Sequence, residues 1–108
     1  MCSSDLVSMG VGQSFYEKLE YDANGQLLNA NLGDYLLPRA TDMPPIEIGH
    51  LNTPSPLNPM GSKGVGEAGA IPTPACFVQA VENALAPLGV EIMEAPLSPR
   101  RLYELTRE

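Results

Sequence analysis

The stretch Gly61-Ser62-Lys63-Gly64-Val65-Gly66-Glu67-Ala68-Gly69 holds four glycines, one carboxylate and one ammonium group. Glycines this dense serve where the backbone needs positive φ or must approach a ligand closely. A single acid on such a loop, just ahead of a helical pattern, suits a general base. Such a base must lie within hydrogen-bond reach of its proton, and a nearly dry pocket would raise its pKa toward working pH. The helix N-terminus near Thr73 would pull the other way by favouring the anion. A lone acid in a glycine loop is also the pattern of a solvated linker, and residue types alone leave both readings open. Lys63 reads as a structural partner for a carbonyl or an acid. Gly64-Val65-Gly66 is not a phosphate loop, because no Lys-Ser/Thr follows and the glycine spacing is wrong.

Other reactive side chains offer less. His50 sits on a strand-like segment with no second His or Cys at ligand spacing, so a zinc site is not expected. Cys76 falls in a helical pattern and reads as a small buried apolar residue. Arg100, Arg101 and Arg107 read as a solvated helix face or a subunit contact.

These groups are carried by 108 residues, enough for one domain. The apolar fraction of 44% permits a core. Glycine (10) and proline (11) exceed the usual combined share of about 12%. Much of the excess lies between Pro38 and Pro74, which reads as loop. Loops longer than about 12–15 residues are rare in compact domains unless they are functional or supported from outside. The chain is therefore expected to be part of something larger. The formal net charge of −7 argues against nucleic acid and gives no attraction to anionic membranes. No apolar run nears the roughly 18 residues of a membrane span. The start, Met1 to Leu6, lacks the features of a signal peptide. Cys2 and Cys76 are not expected to pair, in keeping with a reducing cytoplasm.

Apolar spacing places a helix over Val7–Leu19, with Val11, Phe15 and Leu19 on one face. Asn24-Gly25 between apolar runs predicts a β-hairpin of about residues 18–22 and 26–31. Ile46-Glu47-Ile48 alternates as a half-buried strand after Pro44-Pro45. The best helix is Thr73–Ala86, with Thr73 as N-cap, Pro74 at the first helical position, and Phe77, Val78, Val81, Ala84 and Leu85 in a stripe. Pro87 and Gly89 end it. Val90–Met93 reads as a short strand, and Ser98-Pro99 opens a last helix to about Glu108. The expected fold class is α/β (α+β): a β-hairpin and short strands packed with two or three helices.

Four segments resemble one family in order and spacing. They are Val7-Ser8-Met9-Gly10-Val11-Gly12-Gln13-Ser14-Phe15-Tyr16-Glu17, Asp34-Tyr35-Leu36-Leu37-Pro38, Thr53-Pro54-Ser55-Pro56, and the glycine loop. Together they resemble the C-terminal part of the molybdopterin-binding large subunit of the xanthine dehydrogenase, aldehyde oxidase and carbon monoxide dehydrogenase family. The carbon monoxide dehydrogenase branch is the nearest in style. Residues 7–108 would then be a partial molybdenum-cofactor-binding domain. Residues 1–6 stand outside the pattern and read as foreign to the frame.

The resemblance implies a molybdenum hydroxylase that oxidises a small molecule with water-derived oxygen. It implies Glu67 as the base that takes a proton at the metal site. Met9, Gly10, Gly64, Val65 and Gly66 would contact the cofactor, a molybdenum-molybdopterin group in the cytosine dinucleotide form. Animal xanthine enzymes carry glutamine where this chain has Met9, so contact there would run through the backbone. Iron–sulfur clusters and FAD are expected on partner subunits, a small and a medium one, beside the rest of the large subunit. The 108 residues alone are expected to be inactive. The competing expectation is a non-catalytic, acidic interaction module that uses the glycine loop as a peptide or subunit contact.

Overall fold

Thr73–Leu85 forms a helix, as its apolar stripe predicts, in a computed structural model that describes residues 3–107. With α1 over Ser3–Phe15, this helix is α2, and α3 spans Pro99–Leu105. Two single 3₁₀ turns, Ala40–Asp42 and Ala86–Leu88, complete the regular structure.

The first helix starts earlier than expected and ends at Phe15. The reading of residues 1–6 as foreign falls partly on Met1 and Cys2, which lie outside the described residues. Leu6, in the same stretch, is buried with Val11 on α1. Gly10 is buried too, because α1 crosses the start of α2 there: a Cβ on Gly10 would collide with the Thr73 side chain. One turn further on, Phe15 meets Phe77 edge to face, with ring centroids 5.0 Å apart. Such a pair adds about 0.5–1.5 kcal/mol beyond its buried area. The chain after α2 returns over this helix pair. The Ile92 amide donates to the Glu82 carboxylate at 3.1 Å, and the Leu97 amide donates to the Ser14 carbonyl at 2.6 Å. Leu97 is fully buried.

Helix ends follow local chemistry, with one correction. Thr73 is the first residue of α2 and not its cap; Pro72 holds the cap position. The Thr73 hydroxyl instead donates back to the Gly69 carbonyl. Gly89, at φ 69°, takes the left-handed conformation that closes the turn after α2. Ser98 caps α3 by accepting from the Arg101 amide at 3.2 Å. Cys76 is exposed, against expectation. It lies one position off the stripe that Phe77 and Val81 define.

The α/β expectation fails: the described residues hold three α-helices and no strand. Of the hairpin, a single antiparallel bridge survives, Tyr21 with Leu27. The turn itself forms. Gly25 has φ 80°, and the Asp22 carboxylate accepts from the Asn24 and Gln26 amides, 2.8 Å each. Two backbone bonds cross the hairpin, from the Asp22 amide to the Gln26 carbonyl at 3.0 Å and from the Leu28 amide to the Glu20 carbonyl at 2.8 Å, and at the outer end a side chain takes over. Asn29 accepts from the Glu20 amide with its Oδ1 and donates to the Lys18 carbonyl with its Nδ2. The expected strands at Ile46–Leu51 and Val90–Met93 have no β partner among the described residues.

The shape is extended. The radius of gyration is 17.5 Å, against about 13 Å for a compact chain of this length. The accessible surface is 8412 Å², against about 5,800 Å² for a folded protein of this mass. Leu51, Leu57 and Met60 are 98%, 92% and 89% exposed.

Candidate functional site

Glu67 stands in a single turn ahead of α2. Its carbonyl accepts from the amides of Ala70 and Ile71 at 2.9 and 3.1 Å, and the Val65 carbonyl accepts from Ala68 at 3.2 Å. The carboxylate itself is exposed and has no hydrogen-bond partner among the described residues. Before it, Gly64, Val65 and Gly66 are exposed. The amides of these three residues donate to no group among the described residues. Open space lies where a Cβ would stand on Gly64 and on Gly66. A short row of free N–H donors therefore leads into one carboxylate, with no side chain of Gly64 or Gly66 in the way.

The turn is anchored on both sides. On the α2 side, the Gly69 carbonyl holds the Thr73 hydroxyl, and Thr73 lies against Gly10 of α1. This brings the Val7–Glu17 segment to the glycine loop, two residues from Glu67. On the other side, Lys63 Nζ donates to Thr53 Oγ1 at 2.9 Å. The Ser55 amide donates to the Gly61 carbonyl at 3.0 Å. The Asn58 side chain closes the loop by bonding both the amide and the carbonyl of Ser62, 2.9 Å each. Gly61 needs to be glycine here: its φ is 65°, and a Cβ would lie 2.7 Å from Pro54 Cβ.

The remaining segment is joined by a buried-edge contact. Tyr35 donates its hydroxyl to Glu17 Oε2 at 2.7 Å. This bond, more than partial burial, holds the phenol above its usual pKa. The other carboxylate oxygen of Glu17 fills the space beside Gly12, where a Cβ would collide with it, and Pro38 lies on the same side. The four segments that the sequence singles out are thus tied into one continuous set of contacts.

Not every expected site residue faces the same opening. Met9 is 53% exposed on α1. Gly10 is buried against Thr73, so its α-carbon serves the helix crossing. A cleft of about 550 Å³ lies elsewhere, between Lys18, Glu20, Asp34 and the Glu94–Glu104 stretch; Glu67 does not line it. There Arg101 pairs with Glu94 at 3.4 Å, and Arg100 with Glu104 at 2.8 Å. The links Glu17–Tyr35 and Lys63–Thr53 were not foreseen. The only sequence signal for them was that both partners lie inside the four segments. Among the described residues, no cluster of three or more His, Cys, Asp or Glu side chains could hold a metal ion directly.

Comparison with known proteins gives this arrangement its context. Residues 7–44 match the model of the molybdopterin cofactor-binding domain family. The chain is 39% identical over 101 residues to the nicotine 6-hydroxylase large subunit of Paenarthrobacter nicotinovorans, covering 94% of this chain and 12% of that protein. It is 38% identical over 102 residues to the carbon monoxide dehydrogenase large chain of Hydrogenophaga pseudoflava, covering 92% and 12%. Among solved structures, quinoline 2-oxidoreductase from Pseudomonas putida aligns with a TM-score of 0.91 and 44% identity, over 96% of this chain and 13% of that one. A copper- and molybdenum-containing carbon monoxide dehydrogenase aligns at 0.89 and 30%, over 97% and 13%. The chain spans about an eighth of the length of each.

Proposed function

The chain belongs, as a segment, to the molybdopterin-binding large subunits of the xanthine dehydrogenase family, and on that premise we propose that it forms one wall of the cofactor and substrate site of a molybdenum hydroxylase, with Glu67 as general base. One observation carries the reading: three separate links draw the four family-like segments together around the Glu67 turn.

The residues present fit an oxygen-rich organic cofactor. Free amides of Gly64, Val65 and Gly66 would donate to its oxygens, and the missing Cβ atoms of Gly64 and Gly66 leave room for it. Met9, exposed one position before the buried Gly10, lies on the neighbouring helix face. A molybdenum–pterin group held here, read as the cytosine dinucleotide form, would supply two-electron oxidation with oxygen derived from water. Glu67 would accept a proton as general base and later give it up to solvent. Its carboxylate suits this because no cation or donor among the described residues pairs with it. Lys63 is spent on Thr53 and stays out of the chemistry. The rest of the large subunit would enclose the turn, and iron–sulfur and FAD subunits would carry the electrons away.

The test is Glu67→Gln in the full-length enzyme purified with its partner subunits. Gln keeps the size and removes the base. Turnover is expected to fall by at least the roughly 10²–10⁴-fold that general acid–base catalysis supplies, with molybdenum content unchanged. Turnover like that of the wild type would sink the role of Glu67.

A further inference from the structure

The third family-like segment, Thr53-Pro54-Ser55-Pro56, takes no part in the chemistry assigned to Glu67, yet it is bound to the loop that leads there. Ties at successive positions cross the span from Thr53 to Lys63. Lys63 Nζ donates to Thr53 Oγ1 at 2.9 Å. The Ser55 amide donates to the Gly61 carbonyl at 3.0 Å. Asn58 holds both the amide and the carbonyl of Ser62. A loop closed in this way, by its own side chains and with its ends together, keeps one course. Order stops just after it. The amides of Gly64, Val65 and Gly66 donate to no group among the described residues. Nothing lies within 4 Å of the place a Cβ would take on Gly64 or Gly66. Glycine also gives a backbone more freedom than any other residue.

The glycine stretch therefore takes its direction from its two ends. Downstream, the Glu67 carbonyl closes a turn by accepting from Ala70 and Ile71, and the Gly69 carbonyl holds Thr73. Upstream, Lys63 is the residue that joins the stretch to the closed loop, and its side chain reaches back ten residues to Thr53. We infer that Thr53 and Lys63 are positioning residues for the cofactor wall: their bond sets the upstream end of the glycine stretch, and so the line of the Gly64–Gly66 amides. A hydrogen bond weakens steeply once its angle falls below about 120°. Free amides thus serve a ligand only while the backbone that carries them holds its course. The residue types suit the task. The lysine stem is long enough to cross the loop, and its ammonium group is a donor only. The threonine hydroxyl accepts from it as a neutral group, so no carboxylate is needed beside the site. Neither side chain is catalytic; both act through the backbone between Lys63 and Glu67.

This rests on the proposed contact between these amides and the cofactor, but not on the role of Glu67. The test is hydrogen–deuterium exchange at single-residue level in the full-length enzyme with its partner subunits, cofactor-loaded and cofactor-free, with molybdenum assayed on each sample. In the wild type, loading is expected to slow the Gly64, Val65 and Gly66 amides on the order of 10-fold or more. Thr53→Val keeps the side-chain shape and removes the acceptor; Lys63→Met removes the donor. Either variant should lose most of that slowing, while the amides of α2 exchange as before. The double variant should lose no more than either single one, because both act through one bond. Thr53→Ser, which keeps the hydroxyl, should retain the protection. Molybdenum lost from Thr53→Val but kept by Thr53→Ser, with α2 unchanged, is the same result in stronger form. Wild-type protection of all three amides in Thr53→Val and Lys63→Met would overturn the positioning role and leave the cofactor contact intact. Faster exchange throughout α2 in these variants would overturn it too, by making the bond a matter of general stability. Equal exchange in loaded and cofactor-free wild type would overturn the cofactor contact itself, and the positioning role with it.

Discussion

Glu17 sits two residues past the end of α1, with one carboxylate oxygen beside Gly12 and the other on the Tyr35 hydroxyl. Gly12 therefore makes room for a neighbouring side chain, while Gly10 makes room for a helix crossing. The Tyr35 phenol is held above its usual pKa, first by that hydrogen bond. A group raised in this way contributes stability that is fully present below its unfolded pKa and is lost as pH rises through the folded value. The unfolded value is 10.0, so the loss belongs above pH 10. Melting temperature of the full-length enzyme, followed from pH 8 to 11, is expected to fall more steeply for the wild type than for Tyr35→Phe. Parallel curves would mean that the Glu17–Tyr35 bond does not help hold the second family-like segment in place.

At the scale of elements, the crossing of α1 and α2 sets the glycine loop, because Thr73 touches Gly10 with its carbons and Gly69 with its hydroxyl. Gly10→Ala adds a methyl group where Thr73 already is. Overpacking of this kind costs about 1–3 kcal/mol. Denaturant unfolding of the full-length large subunit should show that loss, and an unchanged midpoint would mean that the helices separate there without cost. The helices were legible in the sequence because their signals are local. Ser98-Pro99 caps and starts α3, and the Phe77–Val81–Leu85 spacing defines the covered face of α2. Thr73 misled by one position, since a hydroxyl before a proline fits a cap equally well and only the tertiary contact decides. The strands were misjudged for a different reason. Alternation in Ile46-Glu47-Ile48 reports a half-buried surface but not where the other half comes from. In the hairpin, Asn29 took the outer ladder positions with its side chain, a choice that the Asn-Gly turn signal does not encode. The candidate site was legible as a set of motifs and not as contacts. Glu67 could be picked out by its glycines, whereas the bond from Lys63 to Thr53 spans ten residues of irregular chain.

For the whole molecule, burial is too small for independence. The buried apolar set among the described residues is Leu6, Val11, Ala70, Ile92 and Leu97. Five buried apolar residues are few for a described span from 3 to 107. Exposed Leu51, Leu57, Met60 and Met93 are further apolar surface waiting for cover. The fold adopted here is therefore expected to depend on surrounding protein. Produced alone, the chain should melt without a cooperative transition and bind a hydrophobic dye. Its radius of gyration in solution should exceed 17.5 Å, toward the roughly 30 Å of an unfolded chain of about this length. Small-angle scattering and calorimetry on the purified chain decide this. A sharp, monomeric melting transition at the 17.5 Å size would show a self-sufficient domain. That outcome would restore the reading of a free-standing acidic interaction module, with the glycine loop as its contact surface. Loss of cooperativity in the isolated chain, together with a single sharp transition in the full-length subunit, would instead place its stability in the contacts it makes with the rest of the subunit.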